Sequence, residues 1–230
     1  MTKRMWILGS GPSLKVTPLD ALQGESVFVM NKAGRIFNAL GTKLIPTHYL
    51  KIDHSTIDQT QVEEIRWAES KGCKLYLWEM FRTGFPVGHP NYDTMPEGVG
   101  DVQNVTWLKK CKHTGYMANN VKAVQSWHLP EICTAFGGMS PMLQISVMEG
   151  YDEICLLGCD LGYTPYQHLN HAVPNYTLDL RDKSKMDESN MTALHYMAIR
   201  SSPIPIYNCT IGGKLEVYPR RDMLEVLRNG

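Results

Sequence analysis

Short apolar runs, each closed by a polar residue or a glycine, alternate along the chain with longer amphipathic segments. The apolar runs predict buried strands, and the segments between them predict helices. The predicted strands cover residues 5–8, 26–30, 47–52, 73–78, 152–157 and 204–208. The predicted helices cover residues 16–22, 32–40, 57–70, 191–199 and 221–227, and a further helix ends at Met148.

Strands that alternate with helices form a parallel sheet covered by helices on both faces. The sequence therefore predicts an α/β fold, a Rossmann-like, doubly wound and mostly parallel sheet, in a single domain over residues 1–230. Glycine and proline interrupt the pattern in residues 81–130, which predicts an irregular, lid-like insertion, or else a surface excursion without a role. Residues 163–190, dense in tyrosine, histidine and asparagine and then in charge, predict a mobile active-site loop.

The first strand ends in a turn of small residues, Gly9, Ser10, Gly11, Pro12 and Ser13. Glycine permits backbone angles and close approaches that a side chain forbids, and proline and serine suit the start of a helix. Amide groups in such a turn can bind a phosphate. The alternative is an ordinary strand-to-helix turn. The third glycine of the dinucleotide pattern is missing, so the sequence does not support an NAD site.

Polar residues also follow other predicted strands. Asn31 and Asp53 come directly after apolar runs, and Asp160 lies in the turn that closes the strand 152–157. Gly137 and Gly138 precede the helix that ends at Met148. Ligands of doubly wound sheets bind outside the carboxyl ends of the strands. Each residue alone suits a cap or a turn, but together they predict a nucleotide-binding site along one edge of the sheet.

Two histidines of the polar loop are candidates for proton transfer. His168 and His171 can act as general acid or base near neutral pH, or can be ordinary exposed loop residues. Two histidines without a nearby cysteine are weak evidence for a metal, so no metal site is predicted.

Composition narrows the function classes. The 23 basic and 23 acidic residues cancel, which argues against a nucleic-acid partner. No apolar run reaches the length of a membrane span, and the first strand begins too early for a signal peptide, so a cytoplasmic location is expected. The six cysteines form no Cys-x-x-Cys pair and are expected to be reduced. Exposed aromatics in the insertion make a homo-oligomer possible.

Three blocks carry a family resemblance. Residues 7–14, Asn31 and residues 150–160 resemble the bacterial lipooligosaccharide sialyltransferases. They also resemble a broader family that includes archaeal pterin diphosphokinases, flagellin-modifying transferases and phage or metagenomic proteins. The sialyltransferase resemblance implies a CMP-sugar donor held by the glycine turn, the asparagine and the turn before the late helix. Those positions here are Gly9, Ser10, Gly11, Asn31, Gly137 and Gly138.

The sequence departs from that family at three points. Ser10 stands where the family has asparagine, and Gly137-Gly138 stand where it has Thr-Ser. The family's general-base histidine would fall within residues 183–190, which contain none, so His168, His171 or His195 would have to replace it.

The hypothesis that follows is a transferase that moves a sugar from a CMP-type nucleotide donor to the hydroxyl of a glycan or small-molecule acceptor. His168 or His171 would deprotonate the acceptor, and Tyr163 or Tyr176 would stabilise the leaving phosphate. This reaction would require no cofactor. One alternative is an Mg²⁺-dependent diphosphokinase using Asp53 and Asp160, and another is a binding protein without catalysis.

Overall fold

The computed structural model describes residues 2–52, 59–83, 99–110, 129–132, 138–164, 166, 169–174, 176, 192, 195 and 202–229. Within these residues the strands are β1 Arg4–Leu8, β2 Ser26–Met30, β3 His48–Lys51, β4 Lys74–Trp78, β5 Val105–Lys110, β6 Glu131–Ile132, β7 Glu153–Leu157 and β8 Ile206–Asn208. The α-helices are α1 Ala33–Leu40, α2 Gln59–Ser70, α3 Met80–Thr83, α4 Met139–Met148 and α5 Met223–Arg228.

The strands form one sheet with the order β6-β5-β4-β3-β2-β1-β7-β8, and every ladder in the described part of the chain is parallel. The predicted α/β, doubly wound fold is therefore confirmed. The chain runs outward from β1 through β2 to β6 and then returns to place β7 and β8 on the other side of β1. This reversal makes the carboxyl ends of β1 and β7 the switch point of the sheet, where such folds bind ligands.

Both faces of the sheet are buried, which explains why the strands read as continuous apolar runs. Along β1, Trp6 and Leu8 belong to the core under α1, α2 and α5, whereas Met5 and Ile7 belong to the core under α4. All four side chains are at most 2% exposed. The burial of successive residues on opposite faces fixes the register of β1, and with it the position of the turn that follows.

Two segments differ from the prediction. Residues 16–22, predicted as one helix, contain only a short 3₁₀ turn, Leu19–Leu22, because Pro18 cannot continue a helix. A separate 3₁₀ turn, Pro12–Lys15, precedes them. The region 81–130, predicted as irregular, contains β5, whose apolar side chains extend the sheet beyond β4. Residues 84–98 and 111–128 of that region lie outside the described residues, as does much of the predicted loop 163–190.

The helix that follows β2 begins at a buried carboxylate. Glu64, on α2, accepts hydrogen bonds from the backbone amides of Gly34 and Arg35, at 2.7 and 3.0 Å. Its side chain fills the position that a ligand anion takes at helix starts in many nucleotide-binding folds. Burial raises the pKa of Glu64, although the two amides oppose that shift. Glu64 therefore holds α1 and α2 together from within the protein.

Removal of this carboxylate should loosen the pair of helices. We expect Glu64→Ala to lower the free energy of unfolding by about 2 kcal/mol, since one buried and one partly buried amide lose their acceptor. In a chain of this size that corresponds to a fall in melting temperature of about 4–8 °C. Glu63→Ala, at an exposed position of the same helix, is the control and should leave thermal unfolding unchanged. Equal melting temperatures for the two variants would contradict this role of Glu64.

A candidate ligand site at the switch point of the sheet

A cavity of about 130 Å³ lies at the carboxyl ends of β1 and β7. The turn after β1 and the turn after β7 form its walls, so the cavity occupies the switch point of the sheet. Its described lining residues are Gly9, Ser10, Gly11, Pro12, Met30, Met139, Gly158, Cys159, Asp160, Leu161, Gly162, Tyr163, Leu169, Asn170, His195 and Leu215. Six of these were predicted from the sequence as site residues: Gly9, Ser10, Gly11, Pro12, Asp160 and Tyr163.

The two turns are held against each other by backbone hydrogen bonds. The amide of Gly9 donates to the carbonyl of Leu157, and the amide of Gly11 donates to that of Gly158, both at 2.8 Å. A Cβ on Gly9 would lie 2.3 Å from the oxygen of Gly158, so no side chain fits there. The sequence predicted that these amides bind a phosphate. In the structure they hydrogen-bond to the carbonyls of the turn after β7 instead.

Asp160 joins the same two turns through its side chain. One carboxylate oxygen accepts a hydrogen bond from the amide of Ser13 at 3.1 Å, and the other accepts one from the Ser13 hydroxyl at 2.8 Å. A Cβ on Gly11 would lie 1.8 Å from this carboxylate, so glycine is required to make room for it. Burial raises the pKa of Asp160, and the bonds from Ser13 counter that shift. Ser13 thus binds the protein's own carboxylate.

The turn after β7 has an unusual backbone. Leu161, a residue with a bulky side chain, has a φ of 56°, and it lies between Asp160 and Gly162, whose φ is 85°. A left-handed conformation costs such a residue about 1–2 kcal/mol, and strained backbone of this kind concentrates at functional sites. The strain turns the chain so that residues 160–163 all line the cavity.

Of the described histidines, His195 is the one that lines the cavity. Its side chain is 3% exposed, and its Nδ1 lies 2.9 Å from the hydroxyl of Tyr218, which is itself buried. Burial lowers the pKa of His195 to about 4, so the imidazole is neutral at pH 7. From the sequence, His195 is only one of three candidates to replace the family's histidine, because no local motif surrounds it.

The lowered pKa of His195 predicts a dependence of stability on pH. The unfolded histidine, with a pKa of 6.5, binds protons between pH 6.5 and 4 where the folded one does not. The free energy of unfolding should therefore be highest above pH 6.5 and fall by about 3 kcal/mol for this residue as the pH drops towards 4. Burial also lowers the pKa of His48 to about 4, and it contributes in the same direction.

His195→Gln separates the contribution of His195 from that of His48. Denaturant unfolding of the parent protein and the variant, measured from pH 7.5 to 4.5, should give a difference that shrinks with acidification. Subtracting the two curves also removes the titration of Asp160 and Glu64, which is common to both proteins. A difference that stays constant across this range would contradict a buried, neutral His195.

His171 and Tyr176 lie behind the glycine turn. The Ser10 hydroxyl lies 3.0 Å from Nδ1 of His171, and the rings of His171 and Tyr176 stack with centroids 4.4 Å apart. The amide of Ala172 donates to the carbonyl of Ser10 at 2.8 Å. Neither ring is among the described lining residues, and burial raises the pKa of Tyr176 to about 12. This geometry suits support of the turn better than the proton transfer and phosphate contact predicted from the sequence.

The remaining predicted residues lie next to the cavity or outside the described residues. Asn31 follows β2 with a φ of 54°, and its carbonyl accepts a hydrogen bond from the Tyr49 hydroxyl at 2.6 Å. Gly138 lies against Met30, where a Cβ would be 2.3 Å from the sulfur. Their neighbours Met30 and Met139 line the cavity. Asp53, Gly137 and His168 lie outside the described residues, so their predicted roles stay predictions.

Sequence reasoning missed Asn170, which braces the turn after β7. Its side-chain oxygen accepts from the amide of Thr164 at 2.7 Å, and its side-chain nitrogen donates to the Thr164 carbonyl at 2.8 Å. Asn170 is 8% exposed and lines the cavity. Asparagine often closes a turn by a hydrogen bond from its own side chain to a backbone group two residues away. The partner of Asn170 is six residues away, so the sequence has no recognisable turn motif there.

Comparison with known proteins places the fold. No protein-family model and no curated protein matches the sequence. The solved structure of the MAf glycosyltransferase from Magnetospirillum magneticum AMB-1 matches with a TM-score of 0.51 and 16% identity. The chain shares the fold of this glycosyltransferase. The match covers 96% of the chain and 34% of the MAf glycosyltransferase, so the chain spans about a third of that protein's length.

Two sialyltransferases of Campylobacter jejuni also match. CstII, solved with the substrate analogue cytidine-5'-monophosphate, gives a TM-score of 0.48 and 17% identity over 95% of this chain and 84% of its own. The monofunctional α-2,3-sialyltransferase Cst-I gives a TM-score of 0.40 and 14% identity over 95% and 80%.

The described residues contain neither a membrane-spanning helix nor a cluster of metal-binding side chains. No helix in that part of the chain is long and apolar enough to cross a membrane. In the same residues, histidine, cysteine, aspartate and glutamate side chains nowhere gather in threes that suit a metal ion.

Proposed function

We propose that the protein is a glycosyltransferase that binds a nucleotide-sugar, with CMP as the nucleotide, at the switch point of its sheet. The sugar would pass to a hydroxyl of a glycan or small-molecule acceptor. The observation that carries the proposal is the cavity at the carboxyl ends of β1 and β7, where Asp160, Tyr163 and His195 meet. The shared fold of a glycosyltransferase is consistent with it.

The size of the cavity limits what it holds. Sites for drug-sized ligands enclose roughly 300–1,000 Å³, so 130 Å³ accommodates one ring of a nucleotide-sugar rather than the whole molecule. The rest of the donor would lie along the carboxyl edge of the sheet, past Asn31, where the sequence places Asp53 and Gly137.

The chemistry needs a base for the acceptor and a fixed position for the donor. His195 lines the cavity and His171 does not, so we assign the proton transfer to His195 in place of His171, and His168 remains the second candidate. Tyr163 lines the same cavity, and burial raises the pKa of its hydroxyl, which keeps it protonated and able to donate a hydrogen bond to the bound donor. A rigid arrangement of such groups around the donor is where most of the rate enhancement is expected to arise.

A thermal unfolding screen followed by a transfer assay tests this proposal. We expect CMP and CDP to raise the melting temperature, since a ligand of the folded state stabilises it in proportion to the logarithm of its concentration over Kd. UDP, GDP and ATP serve as comparisons. The transfer assay uses CMP-N-acetylneuraminate with a mixture of glycan acceptors and follows CMP release.

The proposed reaction requires no metal, so EDTA should leave both the CMP-induced shift and the transfer rate unchanged. A shift by ATP that depends on Mg²⁺, without any response to CMP, would favour the diphosphokinase instead. Binding of CMP without transfer to any acceptor would favour a protein that binds the nucleotide without catalysis.

A further inference from the structure

The polar groups of the cavity are suited to hydroxyls rather than to phosphate. Among the described lining residues, Asp160 alone has a charged side chain, and its charge is negative. Burial already raises the pKa of this carboxyl, so a phosphate beside it would add a second negative charge in a poorly solvated place. A neutral hydroxyl group can instead donate a hydrogen bond to the carboxylate.

Asp160 retains capacity to accept such bonds. A carboxylate offers about four lone-pair positions, and the amide and hydroxyl of Ser13 occupy one on each oxygen. Its two oxygens can therefore each accept one more hydrogen bond, the pattern that two neighbouring hydroxyls of a sugar ring present. Asn170 and Ser10 line the same cavity with further neutral polar groups.

The carboxylate is also fixed before any ligand arrives. Ser13 holds both of its oxygens, and the absence of a Cβ on Gly11 leaves the space in which it lies. The following residue, Leu161, holds a left-handed conformation that directs the chain around the cavity. A preorganised acceptor loses little entropy on binding, which increases its contribution to affinity.

From this geometry we propose that the cavity binds a vicinal diol, whose two hydroxyls donate to Asp160 while Ser13 holds that carboxylate in place. The diol belongs either to the ribose of the nucleotide or to a sugar ring. The inference rests on the proposed function only in supplying the nucleotide as one source of the diol. It names Asp160 as the residue that selects for hydroxylated rings.

Ligands that differ only in their hydroxyls test the proposal on the parent protein. Calorimetric titrations would compare AMP, CMP, GMP and UMP with their 2′,3′-dideoxy forms, and would include methyl galactoside as a free sugar. We expect loss of the diol to weaken binding about tenfold or more, the usual effect of losing hydrogen bonds to a charged group.

Two variants locate the effect. Asp160→Asn should reduce the ratio between diol and dideoxy affinities to near one, whereas Asp101→Asn, at an exposed aspartate of the turn before β5, should keep the parent ratio. Circular dichroism would establish that both variants fold. If Asp160→Asn does not fold, the comparison of diol and dideoxy ligands on the parent protein still tests the proposal, because it needs no variant.

The outcomes separate this inference from the proposed function. Nucleotides that bind equally well with and without the diol, with no Asp160-dependent binding of methyl galactoside, would overturn the diol site and leave a nucleotide-binding protein. Binding of methyl galactoside that depends on Asp160, without binding of any nucleotide, would support the diol site and overturn the proposed donor. No binding by any of these ligands would overturn both.

Discussion

His195→Gln is expected to lower the rate of sugar transfer by about 100- to 10,000-fold, the usual contribution of general acid–base catalysis. Glutamine keeps a polar group near the Tyr218 hydroxyl and a similar volume in the cavity, but it cannot accept the acceptor's proton. The dissociation constant for the nucleotide should therefore change little, so the loss should fall on kcat. Single-turnover transfer and calorimetric binding, measured on the same preparation, separate the two quantities.

The other two candidate histidines provide the comparison. His171→Gln should lower thermal stability more than turnover, because His171 lies under the glycine turn beside Ser10. His168→Gln tests the candidate outside the described residues. A parent-like rate in His195→Gln, together with a large loss in His168→Gln, would transfer the catalytic role to His168.

Gly9→Ala should lower the free energy of unfolding by about 4 kcal/mol, with contributions from overpacking and from a weakened buried hydrogen bond. The new Cβ would lie 2.3 Å from the backbone oxygen of Gly158, and neither backbone can shift, since the amide of Gly9 donates to the carbonyl of Leu157. In a chain of this size the melting temperature should fall by about 8–16 °C.

Gly72→Ala is the control for this substitution. Gly72 has a φ of 76°, and a Cβ added there would have no atom within 4 Å, so alanine costs only its backbone conformation, about 1 kcal/mol. Comparable losses at Gly9 and Gly72, measured by denaturant unfolding, would show that the two turns are less tightly joined than the structure indicates.

The fold was predictable because its strands are short, apolar and separated by helical segments. The runs at Met5–Leu8, 26–30 and 152–157 are buried on both faces, so their composition alone identified them. β5 was missed because the glycines and prolines before it made its region read as irregular. The strand β5 is also less completely apolar than the strands at the centre of the sheet, with Lys109 and Lys110 at its end.

The site was predictable in position but only partly in detail. The glycine turn and Asp160 were found because strand ends in this fold class are known places for ligands. The contact between Asp160 and Ser13 could not be predicted, since it joins residues 147 positions apart in the sequence. His195 and Asn170 enter the cavity through tertiary packing, for which the residues around them in the chain give no signal.

The long separation between the two turns also affects how the protein is made. At about 5–20 residues per second, a ribosome needs roughly 7–30 s to synthesise the chain between Ser13 and Asp160. During that interval one edge of β1 has no neighbouring strand, and such an edge is prone to pair with other chains. Chaperone binding to nascent chains that end before residue 153 should therefore exceed binding to chains that extend past β7.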